Sequence, residues 1–139
     1  MNTVTHTLLD ELRWRGLLYQ QTEGVAALLQ RTVASGYVGF DPTAPSLHVG
    51  NLLPIMALVH LQRSGHRPIA LVGGGTGLIG DPSGKASERT LLSEEQVHEN
   101  VRGIRAQLER FLEFGDAGHN GTGAILVDNQ AIERVASLI

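Results

Sequence analysis

His48 and Gly50 follow directly on the turn-forming run Asp41-Pro42-Thr43-Ala44-Pro45-Ser46, and together they could take up the charged end of a nucleotide. The four residues Tyr37-Val38-Gly39-Phe40 before that run have the aromatic and β-branched content of a buried strand, whereas the prolines, aspartate and serine after them belong in turns. A helix must then begin near His48. Its first backbone N–H groups have no partner inside the helix and its dipole is positive at that end, so a polyphosphate is the ligand favoured there. Gly50, without a side chain, would let a flat base lie close to the backbone.

A second group of candidate residues lies in the glycine-rich run that starts at Gly73. Gly75-Thr76-Gly77-Leu78-Ile79-Gly80 matches the dinucleotide pattern G-x-G-x-x-G and raises the alternative of an NAD-dependent oxidoreductase. In that fold the last glycine already lies in a helix, but Pro82 and Gly84 follow at once and would break one. A P-loop fits no better, because Ala86 stands where the magnesium-binding Ser or Thr belongs. The run instead offers both signs of charge. Asp81 can hold an α-ammonium, while Lys85 and Arg89 can neutralise a polyphosphate, the combination that an amino acid together with ATP requires.

These residues need a scaffold, and the apolar spacing supplies one. Leu8, Leu9 and Leu12 share a helical face over 6–14, with Gly16 as the stop. Thr22 can cap a second helix with the stripe Val25, Leu28, Leu29 and Val33, ended by Gly36. Residues 52–61 read as a buried helix closed by Ser64-Gly65, with Arg67-Pro68 as a turn; Pro54 is tolerated if the helix starts at Asn51 but is an interior kink if it starts at Ser46, and a local bend is expected. Residues 69–73 form a second strand. Ser93-Glu94-Glu95-Gln96 has capping-box form, and Val97, Val101, Ile104, Leu108, Phe111 and Leu112 keep helical period up to Gly115. Residues 124–128 form a third strand and 130–139 start another helix. This alternation is α/β, the first half of a Rossmann-like parallel sheet flanked by helices, with 1–35 as an amino-terminal helical segment and 36–139 as a partial Rossmann-like domain. Three parallel strands are too few for a comfortable open sheet, so a fragment is expected.

Composition sets the limits. The chain has 139 residues, 42% of them hydrophobic, which suits one globular domain. With no cysteine there is no disulfide frame or thiol nucleophile, and the six histidines lack metal-ligand spacing, so no protein metal site is expected. A net charge of −3 gives no general basic surface for nucleic acid. No apolar run reaches the ~20 residues of a membrane span and no signal peptide is evident, so the expected location is the cytoplasm, with no membrane partner.

At the two motifs the sequence closely resembles bacterial tyrosyl-tRNA synthetases, class I enzymes that join tyrosine to its tRNA. Residues 37–51 are similar to the family's tyrosine-pocket strand and ATP motif. Gly65-His66-Arg67-Pro68 through Arg89-Thr90-Leu91 is similar to its second strand and loop, and Leu12-Arg13-Trp14-Arg15-Gly16-Leu17 also fits. The likeness runs from about Leu8 to about Asn129 and marks the amino-terminal part of a catalytic domain. Two departures stand out: Asn51 replaces the motif's second histidine, and Gln130-Ala131-Ile132-Glu133-Arg134 replaces an aromatic stretch.

The resemblance implies that tyrosine and ATP form tyrosyl-adenylate, with transfer to tRNA(Tyr) as the second step. Tyr37 would bond the substrate phenol, Asp81 its ammonium, and Gly39 and Asp41 would line the pocket. Thr43 and His48 would meet the outer phosphates, Gly50 and Asn51 the adenosine, and Lys85 and Arg89 the departing pyrophosphate. Magnesium would arrive with ATP. The tRNA would be bound by regions absent here, and the full-length protein would be a homodimer; this chain alone is expected to be inactive. The alternative is a non-catalytic nucleotide- or tyrosine-binding module. Taken singly, Tyr37 also reads as a core aromatic, His48 as a cap and Asp81-Pro82 as a turn opener; only their joint occurrence is specific.

Overall fold

The computed structural model describes residues 7–73, 93–115 and 121–128. The first helix, α1 (Leu8–Trp14), is capped by Thr7, whose hydroxyl accepts from the Asp10 N–H while the Asp10 carboxylate accepts from the Thr7 N–H. It packs on the later helix α3 (Leu52–Arg63).

Helix α2 (Val25–Arg31) departs from the sequence expectation. Gly24, with φ 81°, precedes it in place of Thr22, and the chain leaves the helix at an extended Thr32 instead of continuing to Gly36. Its residues Val25, Leu28 and Leu29, with Val33 beyond, do not form a buried stripe, since no residue of the helix is buried. Two turns are too short to present a full apolar face. Ala26, Leu29 and Gln30 line a cleft together with Leu8 and Leu9 of α1.

Strand β1 (Ser35–Phe40) therefore includes Gly36, where an added Cβ would come within 2.8 Å of the Leu61 side chain. After the turn run, a 3-10 turn over Val49–Asn51 leads into α3, which places Pro54 in the first turn, where its missing N–H costs nothing. Gly65, with φ 82°, reverses the chain. Arg67 and Pro68 are consequently not a turn. They begin β2 (Arg67–Val72), where the Arg67 N–H donates to the Ala34 carbonyl at 2.8 Å and Pro68 pairs with Gly36.

The Ser93 capping box forms as its spacing predicts and opens α4 (Glu94–Leu108). The helix stops short of Phe111 and Leu112, because the Phe111 N–H turns back onto the Leu108 carbonyl and tightens the chain into a turn. β3 (Ile125–Asp128) follows, preceded by a bridge between Phe114 and Ala124. Gln62 of α3 clamps this region. Its Nε2 donates to the carbonyls of Glu113 at 2.8 Å and Thr122 at 3.1 Å, and its Oε1 accepts from the Glu113 N–H at 3.0 Å.

The strands among the described residues are parallel in the order β1-β2-β3, as the α/β reading requires. Helices α3 and α4 cover one face of the sheet. Ile55, Leu58 and Val59 from α3 and Ile104 and Leu108 from α4 pack with Phe40, Ala70 and Val72 in one core. Fully burying side chains such as Leu58, Ile104 and Leu108 contributes about 2 to 3 kcal/mol each. The rows Tyr37–Ile69–Ile125 and Gly39–Leu71–Val127 occupy the opposite face. The glycine-rich run with Asp81, Lys85 and Arg89, and the helix expected over 130–139, lie outside the described residues. No helix among the described residues is long and apolar enough to cross a membrane.

Candidate functional site

The helix start at His48 is built by its own residues. His48 is extended, with φ −107° and ψ 172°, and its backbone N–H donates to the Asn51 Oδ1 at 3.0 Å. Its ring Nδ1 accepts from the Gly50 N–H at 3.0 Å. A neutral ring so bonded carries its proton on Nε2, which makes that edge a donor toward an anion. His48 and Gly50 are both solvent-exposed. Sequence reasoning gives Gly50 the task of admitting a base. The missing side chain also makes room for the His48 ring, whose Cε1 would stand 2.8 Å from an added Cβ. With the Asn51 Oδ1 accepting in the cap, the side chain has its Nδ2 donor to offer a ligand.

Tyr37 is 72% exposed, so it is not the core aromatic that its strand position alone would suggest. It shares its sheet face with Gly39, one row nearer the strand's carboxyl end, while Val38 and Phe40 turn into the core. Asp41 and Thr43 are exposed in the turn run that β1 feeds. β2 ends beside β1. Phe40 pairs with Val72, and the Gly73 N–H donates to the Phe40 carbonyl at 2.9 Å, so the glycine-rich run departs next to the turn that carries Asp41 and Thr43. Asp128 at the end of β3 pairs with Val72 and completes this carboxyl edge. The structure thus brings Tyr37, Gly39, Asp41, Thr43, His48, Gly50 and Asn51 into one strand-turn-helix unit; Asp81, Lys85 and Arg89 fall outside the described residues.

Helix α4 supplies what sequence reasoning missed. A cleft of about 250 Å³ is lined by Leu47, His48, Leu52, Ile55, Gln107 and, from the turn after α4, Arg110 and Phe111, so an arginine shares the cleft with the imidazole. Gln107 Oε1 accepts from the Leu47 N–H at 2.7 Å, and Asn100 Nδ2 donates to the Pro42 carbonyl at 2.8 Å. The available signal was polarity in the wrong place: Asn100 is a polar residue buried within the apolar stripe of α4.

Other described histidines lie away from this site. His60 is buried with Nδ1 3.8 Å from the Glu11 carboxylate, His98 is exposed, and His119 lies outside the described residues. The buried His66 accepts from the Ala34 N–H at 3.3 Å, and desolvation holds its pKa below the usual 6.5. No group of three potential metal ligands occurs among the described residues.

The family model for class I tRNA synthetases (W and Y) matches residues 30–136. The tyrosine–tRNA ligase of Roseiflexus castenholzii is 58% identical over 123 residues, covering 88% of this chain and 28% of that protein. That of Staphylococcus haemolyticus is 54% identical over 129 residues, covering 91% of this chain and 30% of the relative. This chain therefore spans less than a third of the length of these curated relatives. Among solved structures, a C-terminally truncated mitochondrial tyrosyl-tRNA synthetase from Coccidioides posadasii superimposes with a TM-score of 0.70 at 30% identity, covering 95% of this chain and 38% of that one. The corresponding Aspergillus nidulans protein gives 0.68 at 26% identity, covering 92% and 39%. With the family model matching well over half of its residues, and its strand-turn-helix unit forming as the motif requires, the chain belongs to the class I tRNA synthetases (W and Y).

Proposed function

We propose that this chain is the amino-terminal part of the catalytic domain of a tyrosine–tRNA ligase, with residues 1–35 as a helical segment and 36–139 as part of the nucleotide-binding fold. The observation that carries the reading is the placement of Tyr37 and His48 on one continuous unit. An exposed phenol stands on β1, and an exposed imidazole caps the helix start that β1 leads into. High identity to two tyrosine–tRNA ligases supports tyrosine as the amino acid.

In this reading the tyrosine carboxylate attacks the α-phosphorus of ATP. A carboxylate oxygen–phosphorus bond forms, the bond from the α-phosphorus to the bridging oxygen breaks, and the electron pair leaves with pyrophosphate. The chain needs no nucleophile of its own. Tyr37 hydrogen-bonds the substrate phenol and Asp81 its ammonium, with Gly39 and Asp41 along the pocket. Nε2–H of His48 and the Thr43 hydroxyl face the outer phosphates, Gly50 and Asn51 the adenosine. Lys85 and Arg89 take up charge as pyrophosphate separates. Donors that tighten only at that stage lower the barrier more than they strengthen ATP binding. Magnesium enters with ATP. The tRNA(Tyr) is held by regions beyond these residues, and the full-length enzyme works as a cytoplasmic homodimer.

The test is tyrosine-dependent exchange of pyrophosphate into ATP. A ligase of full length carrying this sequence should catalyse it, and the 139-residue chain should not. Absence of exchange in the full-length protein rejects the reading, and binding of tyrosine or ATP without exchange would favour a non-catalytic binding module.

A further inference from the structure

We infer that Asn100, Gly103 and Gln107 of α4 are positioning residues that splint the phosphate-facing turn, residues 41–48, from behind. The three lie at i, i+3 and i+7 and so share one stripe of the helix. Each meets the turn at a different point. Asn100 is buried and its Nδ2 donates to the Pro42 carbonyl at 2.8 Å. A Cβ on Gly103 would collide with the Pro45 carbonyl oxygen, so helix and turn touch backbone to backbone there. Gln107 Oε1 accepts from the Leu47 N–H at 2.7 Å, one residue before His48.

Between these anchors Thr43, Ala44 and Ser46 are exposed, and Pro42 is fully buried. A turn with two prolines must satisfy its backbone groups outside a strand ladder, and α4 satisfies two of them, the Pro42 carbonyl and the Leu47 N–H. The consequence is geometric. Thr43 and His48 keep a fixed separation because both ends of their turn are tied to one rigid helix, and a misplacement of about 1 Å in such a group costs up to about a hundredfold in rate. The catalytic meaning of the splint rests on the ligase reading; the splint itself does not.

Gln107→Met and Gln107→Glu, made in a full-length ligase that carries this sequence, test it. Met keeps the length of the side chain and removes the acceptor, whereas Glu keeps an acceptor. Amide hydrogen exchange at Leu47, read without ligand, should quicken about tenfold in Q107M, and the KM for ATP should rise about tenfold while the KM for tyrosine stays put. Q107E should restore both. Asn100→Asp, which turns a donor into a second acceptor facing Pro42, should give the same split. Unchanged Leu47 exchange and unchanged KM for ATP in Q107M overturn the inference, and so does an equal rise in both KM values. A parent enzyme without pyrophosphate exchange sinks the ligase reading and the catalytic half of the inference, and the ligand-free exchange data distinguish that failure from failure of the splint.

Discussion

The His48 ring lies against Gly50, with Nδ1 accepting from the glycine N–H at 3.0 Å and with Cε1 2.8 Å from the place a β-carbon would occupy. Ring orientation and backbone are thereby one unit. The contact leaves Nε2 as the outward donor, and no residue larger than glycine fits beneath the ring in this position. Gly50→Ala should turn the imidazole away and break its bond to the backbone. The expected result is a rise of about tenfold in the KM for ATP, from loss of a hydrogen bond worth about 1 to 1.5 kcal/mol. Steady-state pyrophosphate exchange in the full-length ligase measures it, and an unchanged KM would show that His48 does not depend on Gly50.

Tyr37→Phe separates recognition from folding. The ring is 72% exposed, so removing its hydroxyl should move stability by no more than about 0.5 kcal/mol. The KM for tyrosine should nevertheless rise about tenfold, because a bound phenol would lose a partner in a partly desolvated pocket. Thermal melts and tyrosine kinetics on the same variant give both numbers, and a large fall in Tm with unchanged kinetics would return Tyr37 to the scaffold.

Which of these residues could be read from the sequence follows from how far apart their partners lie. The Ser93 capping box, the His48 helix start and the strand at Tyr37 rest on neighbours within a few residues, and all three form. Arg67-Pro68 misled because proline marks turns in general, whereas here Gly65 had already reversed the chain. The stripe of α2 misled because periodicity says which residues share a face but not whether anything covers it. Gln107 and Asn100 were invisible for another reason. Their partners Leu47 and Pro42 lie 60 and 58 residues away, and no local pattern encodes such a pairing.

Gln62 makes a stability prediction independent of the site. Its side chain forms three hydrogen bonds to the backbone of Glu113 and Thr122, which hold the approach to β3. Gln62→Ala should cost about 2 kcal/mol, since those backbone groups lose a shared partner at once. A urea titration of the purified chain reads the loss as a lower midpoint, and a midpoint within error of the parent would reject the clamp.

The pH dependence of folding should carry the mark of His66. Burial lowers its pKa from 6.5, so the folded ring stays neutral at a pH where the unfolded chain already binds a proton. This contribution is complete above pH 6.5 and is lost as the pH falls through 6.5 toward the lower folded value. His66→Gln keeps an acceptor for the Ala34 N–H but cannot titrate. Between about pH 7.5 and about pH 5 the Tm of the parent should therefore drop more than that of the variant. Parallel curves would exclude the ring as the source.

Alternation along β1 has a last consequence. Val38 and Phe40 point one way and Tyr37 and Gly39 the other, and pairing of Tyr37 with Ile69 sets which pair is which. Sliding β1 by a single residue would exchange the two sets, sending the phenol inward and two hydrophobes out into water. The proposed selectivity for an amino acid and the cohesion of the fold thus rest on the same four positions, and neither could drift without the other.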